Sequence, residues 1–143
     1  MSNTQYVFLK QAAIPSRQDL QAAVDALGFD LKLYPELDFA KDSGFSPCTL
    51  GGTPDVGFEL YSGEAAEFLD GDEDLLELVG DRDFCISMSW RGSMKDCAAA
   101  MIVSCALAKL CDAVISYEGY PPEPLSKMLE ATNEIVMGAR NES

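Results

Sequence analysis

Apolar positions along this chain recur with two periods, and the switches between them mark out its elements. Tyr6 to Leu9 is a short β-type run. Pro15-Ser16 then opens a helix, with Ser16 as N-cap and Asp19 placed to favour the helix dipole. Leu20, Ala23, Val24 and Leu27 form its apolar stripe, and Gly28 is its expected stop. Phe29, Leu31 and Leu33 alternate with Asp30, Lys32 and Tyr34, which predicts a strand with one buried face, ended by Pro35. Residues 35 to 55, rich in Pro, Gly, Ser and Asp, read as a long surface connection. Val56 to Tyr61 is the next strand, with Val56, Phe58 and Leu60 on one side and Glu59 and Tyr61 on the other.

An acidic segment from Glu64 to Asp83 has room for one or two short helices, around Phe68-Leu69 and Leu75 to Val79. Phe84, Ile86, Met88 and Trp90 alternate with Cys85, Ser87, Ser89 and Arg91, another strand whose inward series ends on Trp90. Ser93, with Asp96 three residues on, caps a helix reaching roughly Cys111, whose alanines and cysteines allow close approach to a neighbour. Ala113 to Tyr117 is a strand, broken by Gly119-Tyr120-Pro121-Pro122. A last amphipathic helix carries Leu125, Met128, Leu129, Thr132, Ile135 and Val136 on one face, with Gly138 near its end. The order β-α-β-β-β-α-β-α predicts a single α+β domain over residues 1–143, a sandwich of a mostly antiparallel sheet with helices packed on one face. Its other face would then carry Glu59, Tyr61, Ser87, Ser89 and Tyr34, either as a docking surface or as a merely solvated one.

Composition narrows the function. Ten Lys and Arg stand against 24 Asp and Glu among 143 residues, a net charge of −14. Such a surface repels nucleic acid and anionic lipid and attracts cationic partners. No histidine is present, which removes the commonest general base and the commonest metal ligand. The five cysteines make no C-x-x-C pair, and Cys85, Cys97 and Cys105 sit among apolar residues as inert thiols of a reducing compartment. With no signal-peptide pattern at the N-terminus and no apolar run long enough to span a bilayer, a cytoplasmic location is expected.

Known chemistry finds little footing. Gly51-Gly52-Thr53-Pro54-Asp55-Val56-Gly57 precedes a strand and lacks the Lys-Ser/Thr of a phosphate loop. Asp70, Asp72 and Asp74 are spaced like the start of a calcium loop, but Leu75 and Asp81 occupy the positions that need Gly and Glu. No nucleophile has a base at a recognisable spacing, so neither catalysis nor a cofactor or metal is expected. Trp90-Arg91 is either a contact site or, respectively, a core residue and a partner for Asp81 or Asp83. Tyr120, beside prolines, is an exposed aromatic open to a partner. Between Glu64 and Asp83 nine acids face one base, Arg82, a concentration that either serves solubility or meets a cationic partner.

Two stretches carry a family resemblance. Ser43-Gly44-Phe45-Ser46-Pro47-Cys48-Thr49-Leu50-Gly51-Gly52, running on into Gly57-Phe58-Glu59, resembles a G-F-x-P-x-x-L-x-G…G-F-E pattern. Ser89-Trp90-Arg91-Gly92-Ser93-Met94 resembles an F-R-W-G-G-D/M pattern opening a similar helix, with the Ser-Trp-Arg-Gly order departing from it. These patterns resemble those of small bacterial proteins, some of which look like immunity proteins against toxins delivered by type VI or contact-dependent secretion. The resemblance covers residues 43 to 118 and implies no catalytic residues. It implies a non-enzymatic protein that plugs the active site of a toxin with a basic surface. Asp70, Asp72, Glu73, Asp74 and Glu77 are the expected steering charges, and Tyr61 and Tyr120 the aromatic anchors. Two other readings stand beside it: a small enzyme or ligand-binding domain with a pocket under the 35–55 loop, and a housekeeping interaction module.

Overall fold

The computed structural model describes residues 3 to 141. Its framework is one six-stranded sheet in the order β2-β3-β4-β5-β1-β6. The strands are β1 (Asn3–Leu9), β2 (Leu31–Lys32), β3 (Gly44–Leu50), β4 (Thr53–Glu64), β5 (Phe84–Trp90) and β6 (Val114–Tyr117), and every neighbouring pair is antiparallel. The helices are α1 (Arg17–Ala26), α2 (Ala65–Leu69), α3 (Glu73–Val79), α4 (Met94–Cys111) and α5 (Leu125–Arg140). The chain is thus an α+β fold built on an antiparallel sheet.

The capping residues act as their positions predict. Ser16 Oγ accepts from Asp19 N–H at 3.1 Å and Ser93 Oγ from Asp96 N–H at 3.4 Å. Gly28, at φ +86°, leaves α1 in the left-handed region that glycine enters without steric cost. Helix α4 lies at the centre of the main core, with Ala98, Ala99, Ala100, Ile102, Val103 and Cys105 fully buried against the sheet, α1 and α5. Near the start of α4, α5 comes close at a glycine of its own: a Cβ on Gly138 would meet the Met94 methyl at 2.6 Å.

The longer helices α1, α4 and α5 share one face, as expected. The two short ones do not. Alternation along β1 and β5 points Val7, Leu9, Ile86 and Met88 into the main core and Phe8 and Cys85 away from it. There Ala65 and Leu69 of α2 and Leu75 and Val79 of α3 close a second, smaller core over Phe8 and Cys85.

The segment 35–55 is not a surface connection. Leu37 and Phe39 are buried in the main core, and Gly44–Leu50 is a full strand paired with β4. Its turn is Gly51-Gly52, with φ +54° and +85° between the paired residues Leu50 and Thr53, the two positive φ values that a two-residue hairpin needs. Close packing against β4 explains a second glycine: a Cβ on Gly57 would overlap the Ser46 carbonyl oxygen.

The strand expected over 29–33 alternates correctly, with Phe29, Leu31 and Leu33 buried, but only Leu31 and Lys32 pair with β3. On its outer edge the Gln21 amide stands in for a neighbouring strand: Nε2 donates to the Leu31 carbonyl and Oε1 accepts from Leu33 N–H, both at 2.8 Å. Arg17 adds a bond to the Leu33 carbonyl at 2.9 Å. A side chain of α1 therefore satisfies backbone groups that would otherwise recruit another chain.

Candidate partner-binding surface

Beyond the patch covered by α2 and α3, the second face of the sheet is open. Pairing aligns Phe45 with Glu59, Glu59 with Ser89 and Tyr61 with Ser87 across β3, β4 and β5. Phe45 and Tyr61 are about half exposed and Glu59 is exposed, whereas Ser87 is buried, its hydroxyl donating to the Tyr61 carbonyl at 3.3 Å. Tyr34, expected on this face, lies past the end of β2, where its hydroxyl donates to Glu36 at 3.4 Å. The ring of Tyr61 packs on Phe68 of α2 at 5.7 Å between centroids, and Phe68 packs on Tyr6 at 5.9 Å. An aromatic row thus joins the open sheet to the acidic helices.

The five acids expected to steer a partner are all exposed on and around α3, but they are not equivalent. Asp72 is the N-cap of α3, accepting from Leu75 N–H at 3.0 Å. Asp70 terminates α2 in the left-handed region at φ +39°. Both therefore have a structural task. Glu73, Asp74 and Glu77 make no side-chain hydrogen bond or ion pair among the described residues. Helical spacing sets Glu73, Leu76 and Glu77 on one face, and Leu76 and Leu78 are each about half exposed. These two leucines are binding candidates that charge counting passes over, although their exposed positions are implied once Leu75 and Val79 are taken as the buried stripe.

The segment's other charges are committed elsewhere. Arg82 donates to the Val79 carbonyl at 3.0 Å and to the Asp112 carbonyl and carboxylate at 3.0 and 3.2 Å. Asp81 pairs with Lys10 at 3.0 Å, which holds its carboxyl below the usual range, and Asp83 accepts from Gln11 N–H at 2.8 Å. Arg91 therefore has neither Asp81 nor Asp83 as partner. It follows the far end of β5, eight residues and roughly 25 Å of extended chain from Asp83. Trp90 is buried in the main core, as its place in the inward series predicts.

Tyr120 is well exposed but does not join Tyr61. It stacks on Tyr117 at 6.3 Å between centroids, and Tyr117 neighbours Trp90 at 6.1 Å. Pairing of Tyr117 with Gln5 places that aromatic row on the α4 side of the sheet. The two expected anchors thus lie on opposite faces.

Other chemistry is sparse among the described residues. No three His, Cys, Asp or Glu side chains gather where a metal could be held. The cysteines are unpaired thiols, and burial pushes Cys48 up to about 12 and Cys97 up to about 11. No helix is long and apolar enough to cross a membrane. A cavity of about 630 Å³ runs from the α1–β2 turn and the β3–β4 hairpin tip (Leu50, Gly51, Thr53) to α4 and α5, with Lys95, Arg140 and Asp30 on its wall. Comparison with protein-family models, with curated proteins and with solved structures finds no match.

Proposed function

We propose that this chain is an immunity-type protein: it binds the basic surface of a bacterial toxin domain and occludes its active site, doing no chemistry itself. The observation that carries this reading is the co-occurrence, on the sheet face that α2 and α3 cover, of the uncommitted acids Glu73, Asp74 and Glu77, the exposed Leu76 and Leu78 of the same helix, and the Tyr6–Phe68–Tyr61 aromatic row. Interfaces combine a charged rim that speeds encounter with apolar and aromatic anchors that slow departure, and this surface offers both. Its acids compete for the same cationic cleft that a nuclease or nucleotide-directed toxin uses for phosphates. The Phe45 and Glu59 stretch of open sheet extends the surface. Asp70 and Asp72 add charge while shaping the helix ends, and Tyr120 lies outside this contact. A cytoplasmic site of action follows from this role.

Co-expression with the toxin encoded by a neighbouring gene tests it. The native chain restores growth and co-purifies with the toxin; Y61A/L76A, altered only at exposed positions, loses rescue while remaining folded. Rescue undiminished in that variant, or no complex at all, rejects the proposal.

A second reading has its own observation. The 630 Å³ cavity touches the hairpin formed within the 35–55 segment and carries two bases, Lys95 and Arg140, against one acid, Asp30. That arrangement suits a small anionic ligand, and thermal stabilisation by a metabolite in place of a protein would favour it.

A further inference from the structure

A smaller cavity of about 210 Å³ lies on the α4 side of the sheet, bounded by β1, β6, α4, α5 and the loop from β6 to α5. Gln5 stands on its wall and is 1% exposed. The Gln5 amide nitrogen donates to the Met101 sulfur at 3.2 Å, a weak acceptor, and its oxygen has no partner among the described residues. A buried amide oxygen without a donor is an uncommon feature, and here it belongs to a residue on the wall of a space. Tyr117 and Tyr120, 17° from parallel, form an aromatic wall. That wall is fixed in place: the Tyr117 hydroxyl donates to Asn3 Oδ1 at 2.8 Å, Tyr120 N–H to the Tyr117 carbonyl at 2.8 Å, and Ser116 Oγ to the Tyr120 carbonyl at 2.8 Å. Glu123 supplies a carboxylate at the rim, and Glu118 is close enough to raise the Tyr117 phenol further once burial has raised it. Met101 and Met128 supply a soft apolar side, and no Lys or Arg lines the space.

An orphan acceptor, aromatic rings and a carboxylate without a competing base match one ligand chemistry. We propose that this cavity binds a single organic cation, an alkylguanidinium or alkylammonium group. Its stem lies along Met101 and Met128, its charge lies against Tyr117, Tyr120 and Glu123, and one N–H serves Gln5 Oε1. The volume suits one such chain and is too small for a nucleotide. The same chemistry is offered by an arginine or lysine side chain of a partner protein and by a free amine. The site is independent of the α2–α3 surface, which lies across the sheet.

The test is an NMR titration at physiological salt with n-butylguanidinium and with its neutral isostere n-butylurea. Saturable shifts at the Gln5 amide, the Met101 and Met128 methyls and the Tyr117 and Tyr120 rings are expected, with butylurea at least fivefold weaker. Y120A and E123Q, both at exposed positions, each weaken binding about fivefold or more while the rest of the spectrum is retained. Equal binding of butylurea, or shifts confined to the acids of α3, overturns the proposal. Titration with Nα-acetyl-arginine N-methylamide beside n-butylguanidinium separates the sources: binding at least as tight for the peptide-like probe identifies an arginine side chain of a partner, and its exclusion a free amine.

Discussion

Asp72 is a helix cap by geometry and a steering charge only by proposal, and the two roles separate on substitution. D72A removes the acceptor for Leu75 N–H and lowers stability by about 1 kcal/mol, whereas D72N keeps it and loses only a few tenths from the dipole. Urea midpoints check this order. It also explains why a charge-removal test belongs at Glu73, Asp74 and Glu77. Burial likewise gives the thiols a defined effect. Cys48 is pushed from an ordinary 9.0 up to about 12, so between those values the unfolded chain releases a proton that the folded chain keeps. Stability from this group is complete below about pH 9 and falls as pH rises through that window. Denaturation midpoints at pH 8, 10 and 11 fall less steeply in C48A than in the native chain.

Gln21 carries the equivalent argument at the level of elements. Q21A strips the Leu31 carbonyl and the Leu33 N–H of their partners and costs about 2–3 kcal/mol, with faster hydrogen exchange in the 31–33 segment. Retention of native stability would mean that α1 does not seal this edge. No periodicity announces such a contact, because the bonds join residues ten and twelve apart through a side chain that reads as an ordinary helix surface residue. The long alternating runs of β4 and β5, and the capped helices α1 and α4, were legible because one period and one cap residue define each. Strand β3 was not. Pro47 and the flanking Gly and Ser imitate a loop, and Pro47 is tolerated because β2 covers only Thr49 and Leu50, leaving the outer edge of β3 unpaired there. The Gly51-Gly52 dipeptide was the signal that identifies the hairpin. Of the candidate site, composition located the acids and Tyr61. The join through Phe68 depends on how α2 folds back over the sheet, and the placement of Tyr120 on the other face on the pairing of Tyr117 with Gln5.

Charge acts over the whole molecule. Lys10–Asp81 and Arg82–Asp112 are ion pairs, but pairing leaves the net charge of −14 unchanged, and that excess is self-repulsive. Raising sodium chloride from 10 to 500 mM screens that repulsion and raises Tm by several degrees, as circular dichroism would show. A falling Tm would mean that local attractions dominate. Under the proposed function the same field would draw a basic target toward the acidic helices before contact.

The most direct measurement is the association rate with the toxin domain as a function of ionic strength. If acidic steering operates, the association rate falls steeply with added salt. In E73Q/D74N/E77Q it is about tenfold slower at low salt and converges with the native rate at high salt. A rate indifferent to both salt and these substitutions would contradict acidic steering.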